Sequence, residues 1–152
     1  MVVNLKAHRI KRGELNVEQY DAIKKLLNAD EHYFDTTKFI VIDFFPGIDR
    51  CNSSGDRAAV IADHEAYAAK MENRNDVKQF FVYQEKKGTE MYGNIKWLKD
   101  TDQTIQKSFF MLHFPCSSMV VIDRSGNYYS HRGEHNLNEV FTIIKNNKNF
   151  QP

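Results

Sequence analysis

Residues 38–84 read KFIVIDFFPGIDRCNSSGDRAAVIADHEAYAAKMENRNDVKQFFVYQ and carry the strongest structural signal in the chain. KFIVIDFF (38–45) is a short, nearly continuous apolar run rich in β-branched and aromatic residues, which predicts a strand buried on both faces. PGIDRCNSSG (46–55) clusters Pro, Gly, Asn and Ser and reads as a loop. DRAAVIADHEAYAAKM (56–71) is alanine-rich and predicts a helix, with Ser53 or Ser54 as its N-cap. After the polar break ENRND, VKQFFVYQ (77–84) predicts a second strand. Strand, helix and strand within about 45 residues is a βαβ unit with parallel strands.

On the N-terminal side, residues 1–37 read as an extension containing one helix. Asn16 precedes VEQYDAIKKLLN with Gln19 three positions later, a capping arrangement, and Val17, Tyr20, Ile23 and Leu27 recur at helical spacing. One use for such an extension is to cover an edge of the sheet. The main domain spans 38–152. On its far side IKWL (95–98) reads as a short extended piece and residues 100–112 as a helix. SSMVVID (117–123), the turn RSG and NYYSHR (127–132) form a hairpin. Asn136 is expected to cap a last helix, LNEVFTIIKNN, with Val140, Phe141 and Ile144 on its buried face. The expected class is α/β, a mixed central sheet flanked by helices.

Composition removes several function classes. The chain has 152 residues, one domain's worth, with 21 Lys and Arg against 20 Asp and Glu. A net charge of +1 argues against nucleic acid or an anionic membrane as the main partner, since both require surplus positive charge. No apolar run approaches the roughly 18 residues of a membrane span. The visible N-terminus lacks the apolar core of a signal peptide and reads as cytoplasmic, or as periplasmic or secreted if a signal has been removed. Two cysteines, Cys51 and Cys116, are too few for a disulfide scaffold and allow one bridge or two separate thiols.

A βαβ unit followed by a helix and a ββα unit resembles the thioredoxin arrangement. FIVIDFF is similar to the first central strand of thioredoxins, including an acidic residue, Asp43, in an apolar strand. IKWLKDTDQTIQKSFFMLHFPCSSMVVIDRSGNYYSHRG (95–133) resembles the second half of thiol-disulfide oxidoreductases and peroxiredoxins. The matching positions are Asp100, Pro115, Ile122, Asp123, Gly126 and Gly133, and the resemblance implies a cis bond before Pro115. It covers roughly residues 38–147. The chain departs from the family in the loop after the first strand. The two thioredoxin cysteine positions fall on Asp49 and Asn52, and Cys51 stands alone. The peroxiredoxin Thr before the cysteine and the Arg of the later strand are missing.

The resemblance implies chemistry for five residues. Cys51, in a loop leading into a helix and beside Arg50, sits where helix N–H groups and positive charge stabilise thiolate, the nucleophilic form. Asp43 beneath it is placed to accept a proton. Pro115 shapes the substrate groove, and Cys116, following it, would lie across from the active loop and resolve the Cys51 adduct as a reversible disulfide. These are the expected site residues, with thiols or disulfides of proteins or small molecules as partners and no cofactor. His113, Cys116, His131 and His135 have a metal-like spacing. Zinc modules need the last two ligands on one helical turn, whereas here they straddle a strand end and a helix start, so no metal is expected.

Three functions are compatible with this pattern. The first is a thiol-disulfide oxidoreductase. The second is a redox-inactive thioredoxin-like module binding a partner in the groove beside Pro115. The third is a one-cysteine peroxidase whose Cys51 is oxidised to sulfenic acid. Substrate, redox partner and oligomeric state leave no trace in the sequence.

Overall fold

The structure, a computed structural model, describes residues 9–27, 37–48 and 56–151. Six strands form one sheet: β1 (Ile10–Glu14), β2 (Phe39–Phe45), β3 (Val77–Tyr83), β4 (Trp97–Lys99), β5 (Ser118–Asp123) and β6 (Asn127–His131). The helices are α1 (Val17–Leu26), α2 (Arg57–Glu72), α3 (Thr104–Phe109) and α4 (Glu139–Lys145). Strand order is β1-β6-β5-β2-β3-β4, so the predicted βαβ unit and hairpin share a central pair, β2 and β5. β2 runs parallel to β3 and β3 to β4, while β5 lies antiparallel to β2 and to β6. The fold is α/β and thioredoxin-like.

Alternation along the central strands splits the core between the two faces of the sheet. Ile40, Ile42 and Phe44 of β2 join Val120 and Ile122 of β5 beneath Ile23 of α1 and Ile105 and Phe109 of α3. Val41 joins Met119 and Val121 beneath Tyr67 and Met71 of α2 and Val140, Ile143 and Ile144 of α4. Asp43 follows Val41 by two residues, so it shares the second face and is the polar interruption in it.

The residues before β2 pack into the same body. β1 pairs antiparallel with β6 and forms one edge of the sheet. α1 carries the capping box that the sequence predicts: Asn16 Oδ1 accepts from the Gln19 N–H at 2.8 Å, and Gln19 Oε1 accepts from the Asn16 N–H at 3.1 Å. Its Tyr20 hydroxyl donates to the Asp123 carbonyl at 3.1 Å, fixing the helix to the end of β5. Asn16→Ala is expected to remove about 0.5–1 kcal/mol, a small drop in the urea midpoint with an unchanged slope.

Three local expectations change. Ser53 and Ser54 lie outside the described residues, and α2 is capped by Asp56, whose Oδ1 accepts from the Ala59 N–H at 3.1 Å. The helix expected over 100–112 is shorter. Asp102 and Gln103 take left-handed backbone (φ 58° and 56°) within a 3-10 turn, and α3 begins only at Thr104. The last helix starts at Glu139 rather than 137. Asn136 instead closes the preceding turn, its side chain accepting from the Asn138 N–H and its carbonyl from that of Glu139.

Candidate functional site

Cys116 sits in the loop between α3 and β5. Ser118, two residues later, opens β5 opposite Phe44 in the antiparallel register. The Cys116 loop therefore lies at the C-terminal end of β2, the end from which the segment leading to α2 departs. Crevices at the carboxyl ends of parallel strands are where open α/β sheets place ligands and reactive groups. Cys51 and Arg50 belong to that segment and lie outside the described residues, as do their expected roles. Cys116 is disulfide-bonded rather than a thiol.

The loop bends differently from the expectation. No cis peptide bond occurs among the described residues, so the bond ahead of Pro115 is trans. The chain turns instead at Cys116, which adopts left-handed backbone with φ 72°. For a residue with a Cβ that conformation costs on the order of 1–2 kcal/mol, so its surroundings hold it. Gly133 is one of the holders. At φ 85° its Cα packs so closely on the loop that a Cβ there would stand 3.1 Å from Phe114 Cβ and 3.2 Å from the Pro115 carbonyl oxygen. Its N–H donates to Ser118 Oγ at 2.8 Å, and the Arg132 guanidinium covers the Phe114 ring at 4.9 Å.

Asp43 is the expected site residue with the fullest surroundings. Its side chain is 9 % exposed. Oδ2 accepts from Gln79 Nε2 of β3, which also donates to the Phe80 carbonyl at 2.9 Å. Gln79 Oε1 in turn accepts from the Tyr67 hydroxyl of α2 at 2.7 Å. Burial, reinforced by the Asp43 charge, raises the Tyr67 pKa far above its ordinary value, so this hydroxyl stays a donor. Oδ1 faces Nε2 of His135 at 3.5 Å, with the His135 side chain only 5 % exposed. His135 Nδ1 lies 3.0 Å from the Gly133 carbonyl oxygen.

A second histidine adjoins the first. His131, at the end of β6, has its ring centroid 5.6 Å from that of His135 and its Nδ1 2.9 Å from Glu139 Oε2 of α4. The two are driven in opposite directions. Burial lowers the His131 pKa and the neighbouring His135 adds to this, outweighing Glu139. Burial also opposes charge on His135, but the hydrogen bond and charge of Asp43 prevail and its pKa is raised. The fold pairs each of these histidines with a carboxylate, and among the described residues no group of three His, Cys, Asp or Glu side chains is placed to hold a metal ion.

The surface around the loop is apolar and shallow. Met111 and Leu112, just before it, are 71 % and 65 % exposed, and Ile48, after β2, is 61 % exposed. The cavity between Phe44, Pro46, Phe110, Phe114 and Ser118 is only about 30 Å³, one water's volume. Larger clefts flank β4, two strands over from β2: about 560 Å³ by Leu27, Gln79 and Leu98, and about 590 Å³ by Tyr83, Lys86 and Trp97. A molecule engaging Cys116 must therefore lie across the surface.

Among solved structures, the chain is similar to the pneumococcal exposed lipoprotein thioredoxin Etrx1 from Streptococcus pneumoniae strain TIGR4. The TM-score is 0.50 at 16 % sequence identity, over 72 % of this chain and 85 % of that one. At that identity the likeness shows a thioredoxin-like fold and nothing finer. No family model matches the chain, and no curated protein matches it. Among the described residues no helix is long and apolar enough to cross a membrane.

Proposed function

We propose that the protein is a thiol-disulfide oxidoreductase in which Cys51 attacks and Cys116 resolves. The observation that carries this reading is Cys116 itself: disulfide-bonded, held in left-handed backbone at the C-terminal end of β2, in a chain with one other cysteine. Strained backbone at a reactive position is a recurrent feature of functional sites. In the reduced protein the Cys51 thiolate attacks a substrate disulfide, forming a mixed disulfide and releasing one substrate thiolate. The Cys116 thiolate then attacks the Cys51 sulfur. That step expels the second substrate thiolate and leaves a Cys51–Cys116 bridge, so two electrons have passed to the substrate. Each expelled thiolate takes up a proton. In this reading Arg50, next to Cys51 in the sequence, favours the Cys51 thiolate, and Pro115 serves the substrate groove.

Intact mass and turnover test the reading together. Oxidised protein should gain two hydrogens on reduction and should catalyse reduction of a protein disulfide by dithiothreitol. Cys51→Ser should abolish turnover, and Cys116→Ser should accumulate the mixed disulfide. The reactive thiol of reduced protein should ionise below about pH 7.5. A gain of one oxygen on mild peroxide treatment, without bridge formation, would assign a one-cysteine peroxidase instead. The exposed Met111, Leu112 and Ile48 favour a second reading, a binding module for a protein partner. An unreactive bridge with no turnover would select it.

A further inference from the structure

We propose that Asp43 and His135 together hold one exchangeable proton beside the Cys116 loop, and that this couple, rather than Asp43 alone, is the proton-handling group of the site. The role in thiol chemistry rests on the oxidoreductase reading. The existence of the couple does not.

Donors and acceptors around His135 fix where hydrogen must sit. A carbonyl oxygen only accepts, so His135 Nδ1, 3.0 Å from the Gly133 carbonyl, must carry hydrogen. A neutral imidazole with hydrogen on Nδ1 presents a bare lone pair at Nε2. That lone pair would face Asp43 Oδ1 at 3.5 Å, acceptor against acceptor in a site closed to water. One proton removes the conflict, whether it sits on Nε2 or on the carboxyl group. Both arrangements have the same net charge, so the proton can pass between the partners without creating an isolated buried charge. The other carboxylate oxygen is occupied by Gln79, which in turn is held by Tyr67, so Oδ1 is left for the histidine.

Among the described residues, five elements bring polar or titratable groups to the couple. β2 contributes Asp43, β3 the neutral Gln79 and α2 the Tyr67 hydroxyl. β6 contributes His131, α4 contributes Glu139, and Arg9 ahead of β1 acts on His131. Glu139 favours charge on both histidines, while each histidine's neighbourhood with the other limits simultaneous protonation of the two. The connection to the cysteine runs through Gly133: its carbonyl accepts from His135 and its N–H donates to Ser118, two residues from Cys116. In the reaction, the loaded couple gives its proton to an expelled thiolate and is reloaded by the proton that leaves the next thiol to ionise. Atoms and charge balance with no added reactant.

Two measurements decide this. The first follows the assigned His135 and His131 imidazole resonances of the whole oxidised protein by NMR from pH 4 to 10. His135 should stay doubly protonated through 6.5 and release its proton only above it, while His131 titrates below. In Asp43→Asn the His135 transition should move down by at least one pH unit. A neutral His135 at pH 6, with an Asp43 carboxyl carbon showing ionised carboxylate, would overturn the couple. The second measures dithiothreitol reduction of the Cys116 disulfide against pH in wild type, Asp43→Asn and His135→Gln. The wild-type profile should inflect where the couple loses its proton, and both variants should lose that inflection. A normal NMR couple with an unaltered profile in the variants would overturn its role in the chemistry. Loss of protein-disulfide turnover in wild type, with the NMR result intact, would remove the oxidoreductase reading and leave the couple.

Discussion

Asp100→Ala should destabilise the protein by about 2–3 kcal/mol, seen as a lower urea midpoint with the slope preserved. Asp100 is 1 % exposed and serves a helix it does not adjoin. Its Oδ1 accepts from the Ile105 N–H at 2.8 Å and its Oδ2 from the Gln106 N–H at 3.0 Å. The residue in the capping position itself, Gln103, is left-handed and makes no side-chain cap. Deleting the carboxylate leaves two donors of a six-residue helix without acceptors, one of them buried, and α3 carries Ile105 and Phe109 into the core. Acid behaviour separates this from simple packing loss. Burial raises the Asp100 pKa above its ordinary 3.8, against the lowering effect of the two N–H groups. The folded state thus binds this proton more tightly than the unfolded state, so Asp100 contributes a stability that declines as pH rises from 3.8 through the raised value. Asp100→Asn keeps one acceptor oxygen and removes that decline. It should cost less than alanine at pH 7 and flatten stability over the pH range just above 3.8. An alanine variant within about 0.5 kcal/mol of wild type would show that the two bonds carry little.

What the sequence revealed about the fold follows from how strongly each element is written in its own side chains. β2 and β5 are continuous apolar runs because both faces are covered, and their positions agree with expectation to within a residue. β1 was not legible for the opposite reason. Its IKRGE side chains are mostly exposed, and what holds it is pairing with β6, the Arg12 guanidinium over the Tyr129 ring at 5.3 Å, and Arg12 donating to Asn149 at 3.0 Å. Gly13 belongs to the same account: a Cβ there would meet the Tyr128 ring within 3 Å, and only the opposite strand reveals why a glycine stands in this one.

The site was legible at its acidic residue and obscure at its basic one. Asp43 announces itself as a charge in an apolar strand. His135 lies 92 positions later in a polar loop, and nothing local distinguishes it from His113 or His64. Its partner is set by the turn after β6, which folds Gly133 against the Cys116 loop and brings the imidazole over β2. A trans bond before Pro115 also escapes sequence reading, because the family resemblance describes the bend while the chain makes it with Cys116 backbone instead.

Asp43→Ala should produce a loss that depends on pH, about 3 kcal/mol near pH 6 and smaller once pH has risen through the raised His135 value. The reason is the opposite displacement of the two histidines from their shared ordinary value of 6.5. His131 is lowered, so between its folded value and 6.5 the unfolded chain binds more protons and stability rises with pH. His135 is raised, so its contribution is complete below 6.5 and is lost as pH climbs through its folded value. Together they place a stability maximum near pH 6.5 in the wild type. Removing Asp43 takes away the counter-charge that holds the His135 proton. The imidazole then sheds that proton, because an unpaired buried cation is costlier than a neutral ring whose Nε2 lacks a donor. The alkaline fall therefore disappears in Asp43→Ala while the acid-side rise from His131 persists, and the two stability curves converge as pH increases. Urea unfolding of both proteins at pH 5, 6.5, 8 and 9 reads this directly. Parallel curves, or a wild type whose stability is flat above 6.5, would mean that the carboxylate and imidazole are neighbours that exchange no proton free energy with folding.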